Sequence, residues 1–302
     1  MAVAFIHLRV RSIYSVGRGA IAPKALAGLC ATAGTPAVAV ADANNLFGAL
    51  EFSETAAKAG VQPIVGCALA LDLADPDRPG ERAPAPAELV LLAQDAAGYA
   101  NLMKLSSRLF LDRREGPRRV TLDDLAERAD GLICLTGGPD GPVGRLFRDG
   151  AEDRAAALLD RLAALYPGRL YVEIQRHPEN GAPRTPAEAA TEPFFVDAAY
   201  ARDLPLAATN DAHFPDAGMH AAHDAFLCIG EGSYVNQDDR LRLTPEHWFK
   251  PADEMAALFA DLPEAAENTV EIARRCAFRP TTRDPILPRF AEDEVEELRR
   301  QA

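Results

Sequence analysis

The chain has 302 residues, of which 48% are hydrophobic and 25% charged, enough apolar material for one large core or one core with a small appendage. Its formal net charge of -13 excludes a surface that is a nucleic-acid platform throughout, because phosphate binding needs a basic face. No run of 18 apolar residues and no basic-then-apolar leader occurs, so neither a membrane span nor a secretory signal is expected and the cytoplasm is the default location.

In chain order, seven short segments rich in Val, Ile and Leu read as strands: "AFIHLRV", "PAVAVAD", "QPIVGCALAL", "ELVLLAQD", "GLICLTGG", "GRLYVEIQ" and "LPLAATND". Helix-like stretches lie between nearly all of them, among them "PKALAGLCATAG" and "FGALEFSETAAKAG", which end on Gly34 and Gly60 as helix stops. "AAGYANLMKLSSRLF" and "AEDRAAALLDRLAALYPG" follow later strands. Strand and helix in alternation mark a parallel α/β sheet, and near-continuous apolar runs mark strands covered on both faces. No strand is followed by GxGxxG or GxxxxGK[ST], so a seven-stranded β/α barrel is preferred to a nucleotide-binding doubly wound sheet. Residues 73–88 and 177–193, dense in Pro and charge, read as exposed loops. Beyond about residue 215 the pattern turns helical, with starts at Thr244 or Pro251–Asp253 and at Asp261–Pro263, and the chain closes on the charged amphipathic stretch "AEDEVEELRRQA". That last helix stops without a cap, as a truncated chain or a frayed terminus would.

The five cysteines, Cys30, Cys67, Cys134, Cys228 and Cys276, form no CxxC pair and read as buried free thiols rather than a disulfide framework or thiolate metal site. In a barrel, working residues lie at the C-terminal ends of the strands. Those ends carry His7, Arg9 and Arg11; Asp42, Ala43 and Asn44; Cys67 and Ala68; Thr136, Gly137 and Gly138; Glu173, Gln175 and His177; and Asn210, Asp211 and His213. His7, Arg9 and Arg11 alternate, which on a regular strand puts them on one face. Asp211-x-His213 is a two-ligand unit for zinc or manganese, or equally a helix cap beside a surface histidine. Two guanidinium groups oppose a divalent ion nearby. His220 and His223 read as surface or packing residues and His247, beside Trp248, as peripheral packing, and no GxSxG nucleophile elbow occurs.

Eight segments in order, "FIHLRVRSIYS", "AVADANNLFGALEF", "QPIVGCAL", "GYANLMKLSS", "GLICLTGG", "YVEIQRH", "ATNDAHF" and "DEMAALFADLPEAAENTVEIARRC", closely resemble the PHP domain at the N-terminus of bacterial replicative DNA polymerase III alpha subunits. The likeness runs from about residue 4 to "PILPRF" near residue 290. It implies a distorted (β/α)7 barrel over residues 1–280, a C-terminal helical extension, and in 281–302 a linker and the start of a helix leading to polymerase domains. Metal-binding members carry His-x-His where Arg9 and Arg11 stand, Asp-His at Asp42 and Ala43, a glutamate at Ala68 and often a cysteine at Gly138, so only His7 and Asp211-x-His213 keep that chemistry, with His177 among the vestigial positions. The resemblance therefore implies a vestigial metal site, no catalytic residue and no cofactor in this stretch, with magnesium held by a separate palm domain. It also implies a structural role and docking of the epsilon-type proofreading exonuclease subunit, within the rest of the polymerase III holoenzyme and with DNA reached through other domains. The rival reading is a metal-dependent phosphoesterase or 3′-5′ exonuclease using His7, Asp42, His177, Asp211 and His213. A third keeps Arg9 and Arg11 as an anion site, and its structural counterpart pairs them with Asp42, Asp211 or Glu173 in place of a cation.

Overall fold

The computed structural model describes residues 5–74, 84–111, 116, 118–285 and 289–302. The middle of the expected loop 73–88, at 75–83, and part of "PILPRF", at 286–288, lie outside the described residues. Six strands form one sheet in sequential order: β1 (Ala37–Ala43), β2 (Gln62–Leu71), β3 (Ala87–Ala93), β4 (Leu132–Leu135), β5 (Leu170–Gln175) and β6 (Leu206–Thr209). The first expected strand is the seventh stave, although its pairing is too irregular for a continuous ladder. Ala39 and Ala41 of β1 donate backbone N–H to the carbonyls of His7 (2.8 Å) and Val10 (3.0 Å). On its other side Arg11 N–H donates to the Ala212 carbonyl (2.8 Å) and Ala212 N–H to that of Arg9 (3.2 Å). The segment so joins β1 to the chain just past β6 and closes the distorted (β/α)7 barrel.

Two features correct the all-parallel, regular-strand expectation. β3 runs antiparallel to both neighbours, Glu88 opposite Ala70 and Val90 opposite Leu135, whereas the other paired strands are parallel. No described helix separates β2 from β3, and only a crossover helix would return the chain to start in the same sense. The first stave also carries a bulge, because two residues along β1, from Ala39 to Ala41, face three along the stave, from His7 to Val10. The barrel interior takes a side chain from every strand, including Ala39, Ala41, Ile64, Ala68, Val90, Ile133, Tyr171 and Ala207, together with Ile6 and Leu8 of the first stave. Val10 packs instead with Val38 and Val40 on the outer face. Up to Leu8 the even residues point inward, and beyond the bulge the odd ones do.

The helices are α1 (Pro23–Ala33), α2 (Ala49–Lys58), α3 (Ala96–Leu111), α4 (Leu122–Ala126), α5 (Pro142–Arg148), α6 (Glu152–Leu165), α7 (Pro186–Ala201), α8 (His220–Glu231), α9 (Ala252–Leu258), α10 (Pro263–Arg275) and α11 (Glu294–Gln301). α1 and α2 cover β1 through Leu26, Cys30, Phe52 and Ala56, while α10 adds Ile272, Ala273 and Cys276 to the interior cluster. α1 and α2 stop as expected, on Gly34 (φ 66°) and on Gly60 (φ 75°), whose N–H donates to the Ala57 carbonyl while that of Val61 donates to Ala56. α9 starts at Pro251 and α10 at Pro263, as read; Thr244 starts no helix, its hydroxyl accepting from the Glu246 N–H in a turn. The expected loop 177–193 is half helix. Its prolines mislead, since Pro186 occupies the first helical turn, where a missing N–H costs nothing, and Thr185 and Glu188 cap each other reciprocally. Among the described residues no helix is long and apolar enough to cross a membrane.

Candidate functional site

The bulge divides the first stave's three basic groups. His7 lies on the outer side, stacked on Phe249 at 4.2 Å and edge-on to Phe5 at 4.9 Å, with its Nε2–H donated to the Lys250 carbonyl at 2.8 Å. Burial, partly opposed by that hydrogen bond, lowers its pKa to about 4, so the ring is neutral near pH 7. Arg9 and Arg11 turn to the barrel mouth, where both are almost fully buried.

There they meet three carboxylates. Arg9 donates to Glu173 Oε1 at 3.0 Å and to the Gly137 carbonyl at 3.1 Å, and its Nε lies 3.0 Å from Asp211 Oδ1. Arg11 donates from Nε to the same Asp211 oxygen at 2.9 Å and from its fork to Glu88 Oε2 at 2.6 Å. Glu173, with no solvent exposure, also accepts from Thr209 (2.5 Å), Gln175 (2.9 Å) and the Gly137 N–H (2.9 Å). The half-exposed Arg18 reaches Glu88 Oε1 at 3.5 Å. Burial would push the Asp211 and Glu88 carboxyls up, but the adjacent arginines outweigh it and hold both below the usual carboxylate range, Asp211 well below. The core of the mouth is therefore a cation–carboxylate lattice with two guanidinium groups against three carboxylates, and Arg18 at the rim supplies a third positive charge.

Glu88 is the member that strand-end reading misses. A parallel strand brings its C-terminal end to the mouth, whereas an antiparallel strand such as β3 brings its N-terminal end. Glu88 stands second in β3 and has the inward parity of Val90 and Leu92. The available signal was the short helix-free interval before "ELVLLAQD".

The remaining positions separate into several environments. Asp42 pairs with no arginine among the described residues. Its carboxylate accepts from Ser12 N–H (2.8 Å), Ser12 Oγ (2.7 Å) and Ser15 Oγ (2.6 Å), and burial raises its pKa despite those bonds. His177 is held by Glu188, which takes its backbone N–H (2.9 Å) and meets Nδ1 at 2.5 Å, while Nε2 donates to the Asn210 carbonyl at 2.8 Å. His247 is not peripheral, as its ring stacks on His177 at 3.8 Å between centroids and 3° between planes. Burial and then the neighbouring His177 and His213 hold its pKa well below the ordinary imidazole value. Asp211 has a left-handed backbone (φ 40°), and His213 Nε2 lies 3.6 Å from its second oxygen. The Arg18 carbonyl bonds both His213 Nδ1 (3.2 Å) and His223 Nε2 (2.6 Å), so His223 is a buried packing residue, as read. Among the described residues no three His, Cys, Asp or Glu side chains form a group that could hold a metal ion.

Residues 7–177 match the PHP domain family. The chain belongs to that family. It is 51% identical to the DNA polymerase III subunit alpha of Caulobacter vibrioides over 99% of this chain and 26% of that protein. To the DNA polymerase III subunit alpha of Pseudomonas aeruginosa it is 38% identical, over 96% of this chain and 24% of that protein. The PHP domain chain thus spans about a quarter of the length of the curated relatives it matches. Among solved structures, an amidohydrolase from Chromobacterium violaceum with bound sulfate and no metal superposes with a TM-score of 0.43 at 14% identity, covering 70% of this chain and 88% of that one.

In this PHP domain the positions that the family likeness singles out do not make one constellation. Ala43 and Ala68 face each other in the β1–β2 register, two methyl groups side by side. Gly138 sits at φ 65°, where a Cβ would come within 2.9 Å of the Gln175 side chain. Arg9, Arg11 and Asp211 share the ion-pair lattice, and His213 touches it through Asp211. His7, behind the bulge, and Asp42, held by serines, stand outside it.

Proposed function

We propose that this chain is the PHP domain of a replicative DNA polymerase III alpha subunit, acting in DNA replication as a structural and docking element without hydrolytic activity of its own. The observation that carries the reading is the buried lattice at the mouth. A divalent ion there would need the carboxylates that now hold Arg9 and Arg11, and it would sit against two fixed positive charges. The imidazoles offer no substitute set. His7 faces outward onto Lys250, and both nitrogens of His177 are engaged by Glu188 and Asn210. The residues present do not fit the metal centre of the family's metal-binding members. On this reading polymerisation, with its magnesium ions, its DNA and the cytoplasmic holoenzyme around it, belongs to further polypeptide, and the domain offers its surface to the proofreading exonuclease subunit.

The test is elemental analysis of the purified chain after equilibration with zinc and manganese, alongside phosphodiester hydrolysis. We expect no stoichiometric metal and no turnover. About two or three ions per chain, with hydrolysis abolished in Asp211→Ala, would establish the rival reading of a phosphoesterase or 3′-5′ exonuclease. Co-elution with a purified proofreading exonuclease subunit tests the docking half, and its absence at micromolar concentrations would remove that half alone.

A further inference from the structure

The outer face of α3 carries an open groove of about 430 Å³ lined by Ala100, Met103, Lys104, Ser107 and Leu111 and by Arg128 from beyond the helix. Large apolar side chains stand exposed there and beside it. Leu111 is 78% exposed, and Phe47, whose ring lies 5.9 Å from that of Phe110, is 64% exposed. Contiguous apolar surface of this kind marks a protein contact. The flanking charges are uneven. Arg108 and Arg128 share Asp124 and Glu127, whereas among the described residues no ion pair holds Lys104, nor Arg118, which lies over the Phe110 ring at 4.2 Å. Among the described residues, two cations without an ion pair thus border an apolar groove on a chain whose net charge is -13.

We infer that this groove is a docking site for an acidic, amphipathic helical segment of a partner protein. The apolar side chains of such a helix would lie on Met103, Leu111 and the Phe47–Phe110 pair, with its carboxylates against Lys104 and Arg118. Helix-in-groove recognition uses anchors at i, i+3 or i+4 and i+7, a spacing that a helix-long groove accommodates. A nucleic-acid strand is disfavoured, since no aromatic ring lines the groove itself for bases to stack on. This inference rests on the reading of the domain as a docking element. Co-elution of the unaltered chain with the exonuclease subunit tests that reading, and the α3 variants test the groove, so the two fail separately.

The experiment is fluorescence anisotropy with the full chain and a labelled synthetic helix bearing leucines at i, i+4 and i+7 and glutamates on both flanks. Its counterpart carries lysine at every glutamate. We expect the acidic helix to bind, to weaken as salt rises, and to lose about tenfold in affinity with Lys104→Glu and again with Leu111→Asp. Both positions are exposed, so the variants keep the fold, which circular dichroism checks. Equal binding of the lysine helix, or unchanged affinity in both variants, overturns the proposal. So does displacement of the helix by oligo(dT), since the groove would then be a nucleic-acid site.

Discussion

Replacing Arg11 by methionine keeps the aliphatic stem and deletes the charge, which isolates the ion-pair lattice from packing. At 2.9 Å from Asp211 and 2.6 Å from Glu88, the guanidinium gains about 6 kcal/mol of gross Coulomb energy from each partner at an effective dielectric of 20. Most of that is cancelled by the desolvation that Arg11 no longer suffers. What remains is the cost of leaving Asp211 and Glu88 buried with too few cations, about 3–5 kcal/mol for a broken buried pair. The lower end is expected, because Arg18 already lies 3.5 Å from Glu88 and is free to move closer. The pH dependence has a definite sign. In the parent protein Asp211 stays ionised well below 3.8, so its contribution is complete above that value and is lost only as pH falls through the depressed folded pKa. In Arg11→Met the carboxyl keeps only Arg9 of the two arginines beside it and titrates higher, its less compensated charge is relieved by protonation as pH falls, and the stability gap narrows there. Urea unfolding of both proteins at about pH 7 and about pH 4.5 measures this. A gap below about 0.5 kcal/mol at pH 7, or one that widens in acid, would refute the idea that the arginines stabilise the mouth by neutralising it.

Three further outcomes are expected. His7→Phe gives up one hydrogen bond, about 1 kcal/mol near pH 7. It also removes a titration that costs the parent protein up to about 3 kcal/mol as pH falls from 6.5 toward 4, so unfolding curves of the variant should be flatter across that window. Gly137→Ala should yield little soluble protein on expression, since φ is 92° and the new Cβ would lie 2.0 Å from the Glu88 carbonyl, against the strand that supplies the lattice. All five thiols are buried and burial pushes those of Cys30 and Cys276 up to about 12, so an aromatic disulfide reagent should label the folded chain no faster than it unfolds.

The mouth residues show how far a linear reading reaches. Asp211 and Glu173 were legible as partners for the arginines because both stand at the ends of parallel strands, where apolar runs give way to polar groups. Asp42 was legible by the same rule, yet its neighbours Ser12 and Ser15 come from the turn after the first stave and saturate it before an arginine can. His247 looked peripheral because nothing in "PEHWFK" indicates that the chain folds back over the His177 ring.

The sequence by itself determined the α/β class, seven staves, most helix boundaries and the family, since each depends on local periodicity, caps and ordered motifs. Only the tertiary structure decided the direction of β3 and the bulge between His7 and Val10. Both are settled by which backbone groups pair across the sheet, and one inserted residue or one reversed strand leaves local composition almost unchanged. Those two events bring Glu88 into the mouth, turn His7 out of it and leave Arg9 and Arg11 among carboxylates.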